Sequence, residues 1–373
     1  MKKIKLGELC KPSAGQIKED SDKLIDYIDI SSVDNETKKV TGYQTIAFRD
    51  APSRARKMVK RGSILVSTVR PNLNAVAMLE DDTPNITIAS TGFCILDCKE
   101  NANNRFIFNF CKSRAFIDDM VSQATGASYS AVSDKIVRSA LVPDYSYEEQ
   151  CKISEVLDRL SAVIDNRKAE LSVLDELIRA RFVEMFGDPV SNSYGLPEAT
   201  LPELGKFGRG VSKHRPRNDP RLLDGEYPLV QTGDVANASL YITSYNSTYS
   251  ELGLKQSKMW SKGTLCITIA ANIAKTAILE FDACFPDSVV GFIANEKTNN
   301  IFIHYWFSFF QAILESQAPE SAQKNINLKI LSELKVIVPE KEKQNEFVDF
   351  VHQVDKSKLQ YHPHTHTCQP NTS

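Results

Sequence analysis

The sequence predicts an α+β fold: two tandem β-rich α/β domains separated by a long coiled-coil helix, with a second, shortened spacer helix towards the C-terminus. Three observations predict it. The chain repeats itself once with a period of about 200 residues, residues 148–186 contain neither Pro nor Gly, and short β-branched runs alternate with Pro, Asn and Gly turns on both sides of that stretch. The expected boundaries are 1–147 for the first domain, 148–186 for the spacer helix, 187–340 for the second domain, 341–360 for the second helix and 361–373 for a disordered tail.

The repeat rests on three landmarks in the same order. Residues 57–68 (Lys-Met-Val-Lys-Arg-Gly-Ser-Ile-Leu-Val-Ser-Thr) match residues 258–268 (Lys-Met-Trp-Ser-Lys-Gly-Thr-Leu-Cys-Ile-Thr). Residues 136–143 (Ile-Val-Arg-Ser-Ala-Leu-Val-Pro) match 330–339 (Ile-Leu-Ser-Glu-Leu-Lys-Val-Ile-Val-Pro), and after each Pro an acidic turn leads to Gln150 or Gln344 at the start of a helix. Within the first domain, 86–88, 93–96 and 136–142 read as strands and about 103–123 as one amphipathic helix. The second reads likewise, with a helix at about 299–315 carrying Trp306, Phe307, Phe309 and Phe310. The Asn-, Gly- and Pro-rich run 187–197 reads as a linker.

Along 148–186 apolar residues step by three and four: Ile153, Leu157, Leu160, Ile164, Leu171, Leu174 and Ile178, with Arg167 alone breaking the stripe. A seam this narrow packs against one facing helix. Gly187 and Pro189 supply the stop. At 1.5 Å per residue such a helix spans about 57 Å, a length that suits a spacer better than an enzyme cleft. Its counterpart begins well, with Phe347, Val351 and Val354 on one stripe, but Pro363 and the Thr- and His-rich tail cannot continue a helix.

Composition narrows the function classes. With 42% hydrophobic and 25% charged residues the chain reads as globular, and no apolar run is long enough to span a bilayer. The basic N-terminus leads into no signal-peptide core, and eight scattered cysteines without a CxxC pair read as reduced thiols, so the expected location is the cytoplasm. A formal charge of −2 places any nucleic-acid contact in local basic patches or shares it with partners. No catalytic constellation is expected. Gly205, Gly208 and Gly210 are followed by no Lys-Ser/Thr, no Asn/Asp-Pro-Pro-aromatic motif occurs, and no Gly-x-Ser-x-Gly elbow is present. His362, His364, His366 and Cys368 lie in the tail with no surrounding support, so no metal site is expected there.

Basic and amide side chains on turns are the candidate DNA contacts. In the first domain they are Arg49, Lys60 and Arg61 beside Arg54, Arg56 and Lys57, then Arg70, Asn72 and Asn74 on a turn after a strand. In the second they are Lys213 and Arg215 beside Lys206, Arg209, His214 and Arg217, then Asn272 and Lys275, then Gln323, Lys324 and Asn325. Arg70 and Asn72 are expected to read bases, and Lys60 and Arg61 to hold phosphates. The competing reading is a coiled-coil scaffold whose two β-rich domains bind protein.

The two Val-Pro landmarks with their Gln-led helices, the helix exit 181–189 (Arg-Phe-Val-Glu-Met-Phe-Gly-Asp-Pro), and the matched domain openings 5–9 and 201–205 together resemble the specificity subunit of type I restriction–modification systems. The resemblance runs from residue 1 to about 359 and lies in the order of short motifs. It implies two target-recognition domains, each reading one half of a bipartite double-stranded DNA site, with the loop holding Ser128 and Tyr129 near the DNA. It also implies spacer helices that pair antiparallel and dock methyltransferase subunits, which use S-adenosylmethionine, and a restriction subunit that joins the complex. The specificity subunit itself would do no chemistry and carry no cofactor. The short second helix departs from this pattern. It is expected to cover Leu171, Leu174 and Ile178 and to leave Ile153, Leu157, Leu160 and Ile164 without an intramolecular partner, a gap that another copy of the chain would complete.

Overall fold

A computed structural model describes residues 2–12, 22–126, 130–270, 272–317 and 326–359. The chain divides into two compact units after Asn166.

In the first unit, Lys3–Lys5 pairs antiparallel with Leu141–Pro143, closing the domain's beginning against its end. Two sheets lie between. One has the order Gln44–Ala47, Leu24–Ile28, Ile86–Ser90, Ala55–Met58; the other Val76–Met78, Ile64–Ser67, Phe93–Leu96. Every residue of Ile64–Ser67 and Phe93–Leu96 is buried, which is why these strands read as unbroken runs and do not alternate.

Two expectations need correction here. Residues 103–123 form two helices, Asn104–Lys112 and Arg114–Gln123, because Ser113 leaves the helical region and its hydroxyl caps the second by accepting from Phe116 N at 3.3 Å. The run 136–142 is not one strand. Ser133 caps a short helix Asp134–Ser139, and only Leu141–Pro143 is extended.

The second unit repeats this plan. Glu198–Thr200 pairs with Lys335–Ile337, and Asn327 caps the short helix Leu328–Glu333 that precedes the latter. A five-stranded sheet has the order Gly205–Arg209, Val289–Ala294, Leu265–Thr268, Thr276–Leu279, Tyr241–Ile242. A four-stranded sheet contains Ser247–Tyr249, Leu223–Leu229, Ala283–Cys284 and Met259–Trp260. The glycine-rich run is thus a strand, not a phosphate loop. A Cβ on Gly205 would lie 2.2 Å from Ile293 O, so glycine is required for strands to meet there.

Two buried glutamines seal the repeat. Gln150 donates to Tyr145 O at 2.9 Å and accepts from Asn103 N at 2.9 Å. Gln344 donates to Pro339 O at 2.8 Å and to Lys297 O at 3.0 Å, and accepts from Thr298 Oγ1 at 3.0 Å. Each ties the start of its helix to the turn before another helix, in the two places where the sequence shows a Gln.

The central helix runs Tyr147–Phe186 and the C-terminal one Lys341–Leu359. Gly187, at φ +76°, ends the first, its N–H bonded to Val183 O at 2.8 Å. Residues 187–197 then form a hydrogen-bonded turn in place of a slack linker. Asp188 accepts from Val190 N and Ser191 N, and Asn192 Oδ1 from Leu196 N. In the second unit Ile178, Phe182 and Phe186 pack with Phe302, Phe347, Val351 and Val354, and Leu174 is partly buried against them. In the first unit Ile153 packs against the core, so the expectation that it lacks a partner is wrong, whereas Leu157, Leu160 and Ile164 are exposed. No helix among the described residues is long and apolar enough to cross a membrane.

Candidate nucleic-acid interface

Each unit offers loops at the same end of its duplicated sheet, and the same backbone bonds hold them. In the first unit Thr68 N bonds Gly92 O at 2.8 Å, Val132 N bonds Thr68 O at 2.9 Å and Ser67 N bonds Ala75 O at 2.8 Å. In the second, Ile269 N bonds Ser288 O at 3.0 Å, Ile326 N bonds Ile269 O at 3.0 Å and Thr268 N bonds Lys275 O at 2.9 Å. Loops 68–75, 90–92 and 130–132 therefore correspond to loops 269–275, 286–288 and 326–327.

Arg70 and Asn72 stand exposed on the first of these loops. Arg70 and Asn74, flanking the turn Pro71–Leu73, both adopt left-handed backbone, with φ of 49° and 48°. For Arg this costs about 1–2 kcal/mol. The loop is held there by Arg70 N bonding Ser130 O at 2.7 Å, and by Asn74, whose Nδ2 donates to Cys111 O at 2.9 Å. Asn74 is thus buried and anchors the loop that presents its neighbours. Lys38 adds a bond from Nζ to Asn74 O at 2.6 Å, and burial holds that ammonium below its usual range.

Lys60 and Arg61 are exposed at the opposite end of the sheet, on the turn leading into Ile64–Ser67. They do not gather with Arg70 and Asn72. Arg49 is occupied by Asp22 at 3.3 Å and Asp50 at 3.7 Å. Lys57 is likewise engaged, with Asp134 at 2.6 Å. Ser128 and Tyr129 lie outside the described residues, as do Gln323, Lys324, Asn325 and the histidine-rich tail.

In the second unit Asn272 and Lys275 are exposed on the loop after Leu265–Thr268, and Asn272 O accepts from Thr268 Oγ1. Lys213 is exposed, its backbone fixed by Gln256 Oε1 at 2.7 Å. Arg215 donates to Ser212 O at 2.6 Å and His214 O at 2.8 Å, and reaches Asp287 at 3.4 Å. Nearby, Arg221 and then His214 bond Asp219, which holds its carboxyl well below the ordinary range. Sequence reasoning missed the acids that organise the arginines. Asp29 takes Arg54 at 2.5 Å, and Asp287 takes Arg217. These partners are 25 and 70 residues apart, so no local spacing signals them. Among the described residues no cluster of His, Cys, Asp or Glu is arranged to hold a metal ion.

Comparison with known proteins places this arrangement. The type I restriction modification DNA specificity domain family matches residues 198–364. The type I restriction enzyme HindI specificity subunit of Haemophilus influenzae is 25% identical over 145 residues, 38% of this chain and 31% of that protein, so the match spans about a third of the curated relative's length. A solved chain from work on complex assembly and conformational transition of the type I R-M system is similar over 96% of this chain and 91% of its own, at 21% identity and a TM-score of 0.50. The type I restriction-modification system S subunit from M. genitalium is similar over 96% and 90%, at 16% identity and a TM-score of 0.51. At these identities the structural likeness is one of fold. Residues 198–364, in the second unit, match the DNA specificity domain, the first unit repeats that unit's plan, and the chain shares its fold with the M. genitalium S subunit.

Proposed function

We propose that the chain is the sequence-specific DNA-binding subunit of a type I restriction–modification complex, each β-rich unit reading one half of a bipartite target. The observation that carries this reading is the repeated loop end. Beside the match to a DNA specificity domain, the first unit presents exposed Arg70 and Asn72 and the second exposed Asn272 and Lys275, on loops fixed by matching backbone bonds. Forked donors on rigid turns read base edges, whereas the near-neutral net charge leaves part of the phosphate neutralisation to partners.

Chemistry belongs to those partners in this reading. Methyltransferase subunits supply the S-adenosylmethionine site and a restriction subunit joins them, while this chain selects the sequence. The exposed apolar face of the central helix, Val156, Leu157, Leu160, Val163 and Ile164, is where a methyltransferase helix docks, or the equivalent stretch of a second copy. That same face also favours the scaffold reading, so the test must separate the two. The chain is co-expressed with a candidate methyltransferase subunit and methylation is mapped across random DNA. A two-part motif with a fixed gap is expected. A stable complex that methylates nothing in a sequence-dependent way would leave the scaffold reading standing.

A further inference from the structure

We infer that an aspartate-held arginine in each unit, Arg54 and Arg217, reads a guanine in its own half-site; this rests on the specificity reading above. The two arginines share neither sequence position nor strand, yet both stand at the equivalent turn. Gly92 and Ser288 accept matching backbone bonds from Thr68 and Ile269, and the residues just before them are Thr91 and Asp287. Thr91 N bonds Arg54 O at 2.8 Å, which places Arg54 at that turn in the first unit. Asp287 is itself the carboxylate that takes Arg217 in the second.

In the first unit Arg54 Nη2 donates to Asp29 at 2.5 Å and Nε to Tyr27 Oη at 3.2 Å. Asp29 is in turn fixed by accepting from Ile30 N at 2.8 Å. In the second unit Arg217 Nη2 donates to one oxygen of Asp287, while Arg215 approaches the other at 3.4 Å. Both guanidiniums stay about half exposed, at 56% and 46% of the side chain. Arg217 also stands on the shared rim of two cavities of about 290 and 280 Å³.

The chemistry of the pairing favours base edges over phosphates. A carboxylate beside an arginine cancels much of the charge that a phosphate contact and its counterion release depend on. It fixes the plane of the guanidinium instead. A guanidinium has five N–H donors. With one Nη2 hydrogen on the acid, Nη1 and the second Nη2 hydrogen remain as an end-on fork, the geometry that matches guanine O6 and N7. Lysine offers no such fork.

The test is selection from a random duplex library by the full chain bound to its methyltransferase subunit. Wild type is compared with Arg54→Ala, Arg54→Lys, Arg217→Ala, Arg217→Lys and Asp287→Asn. Each Arg→Ala and Arg→Lys variant is expected to lose preference for one G·C pair by about ten- to a hundred-fold, in one half-site only, with the other half-site unchanged. Asp287→Asn is expected to weaken the same pair as Arg217→Ala while thermal melting stays at the wild-type value. Equal loss on all sequences with a shallower salt dependence would make the arginines phosphate contacts and overturn the inference. So would a wild-type motif that lacks guanine in either half. Failure of wild type to select any motif would instead sink the specificity reading itself.

Discussion

Residues 147–166 and 167–186 of the central helix carry the same three-and-four spacing of apolar side chains, and they end in opposite environments. In the second stretch Ile178, Phe182 and Phe186 are 0–1% exposed; in the first Leu157, Leu160 and Ile164 are 36%, 55% and 47% exposed, with Val156 and Val163 beside them at 65% and 56%. The second stretch has helices of its own unit against it, including Lys341–Leu359, and Phe182 touches the rings of Phe186, Phe302, Phe309 and Phe347 at 5.0–5.2 Å. Gln150, Ile153 and Ser154, near the start of the first stretch, are drawn into packing within that unit. A heptad stripe therefore announces that a face seeks a cover, and the rest of the sequence decides whether the cover is in the same chain.

Breaking the covered stretch has the largest effect. Phe182→Ala removes a ring that meets four others and leaves a cavity, so we expect a loss of about 3–5 kcal/mol in the stability of the second unit. Chemical denaturation followed by the fluorescence of Trp306, which lies in the same core, measures it. A loss under about 1 kcal/mol would mean that the cluster is not packed as described.

Next come the two buried glutamines, which sharpen the comparison by showing where the two units agree. Gln344→Ala strands the carbonyls of Pro339 and Lys297 and the hydroxyl of Thr298; Gln150→Ala strands Tyr145 O and Asn103 N. Each is expected to cost about 1–3 kcal/mol, and a similar amount in both units. Unequal costs, read from separate melting of the two units, would argue that the repeat is superficial.

These glutamines also show what the sequence made legible. The duplication, the long helix, its Gly187 stop and both Gln-led helix starts were readable because each has a local cause: a period, a missing breaker or a cap. Two failures share the opposite cause. Residues 136–142 look like a strand by composition, and tertiary context with the Ser133 cap makes most of them helix. Asn74 reads as a candidate DNA contact on its turn, yet the left-handed turn folds its side chain inward onto Cys111 O. In the candidate site, exposed Arg70, Asn72, Asn272 and Lys275 came from turn composition, whereas the Asp29 and Asp287 supports depend on long-range pairing that no spacing encodes.

A smaller effect follows from the closed setting of the second stretch. His304, bonded to Thr276 Oγ1 at 2.9 Å, has its pKa lowered from 6.5 to about 4 by burial, with the Lys358 charge adding to it. The folded ring is then neutral where the unfolded one is protonated. Stability is flat above about pH 6.5 and falls as pH drops towards 4, because the unfolded chain gains the proton first. Undiluted, that difference is worth about 3 kcal/mol; the ring keeps partial contact with water, which reduces it to about 1–2 kcal/mol. His304→Gln should flatten the stability of the second unit over that window relative to wild type, and an unchanged slope would show that the ring is not shielded.

The smallest expected effect on the chain alone is also the sharpest test of the comparison. Leu160 is more than half exposed on the uncovered stretch, so Leu160→Ala should change the stability of the first unit by no more than about 0.5 kcal/mol. On the covered stretch Ile178 is wholly buried, and its truncation to Ala should cost about 2–4 kcal/mol. If the exposed face is a docking surface, Leu160→Asp should weaken capture of the methyltransferase subunit at least ten-fold while leaving the melting of the free chain unchanged, because the charge is desolvated only in the complex. Titration of the labelled chain with that subunit, beside a melt of the chain alone, reads both quantities. A variant that melts early would place Leu160 inside a packed core, and one that binds as tightly as wild type would leave the apolar stripe without a partner on that face.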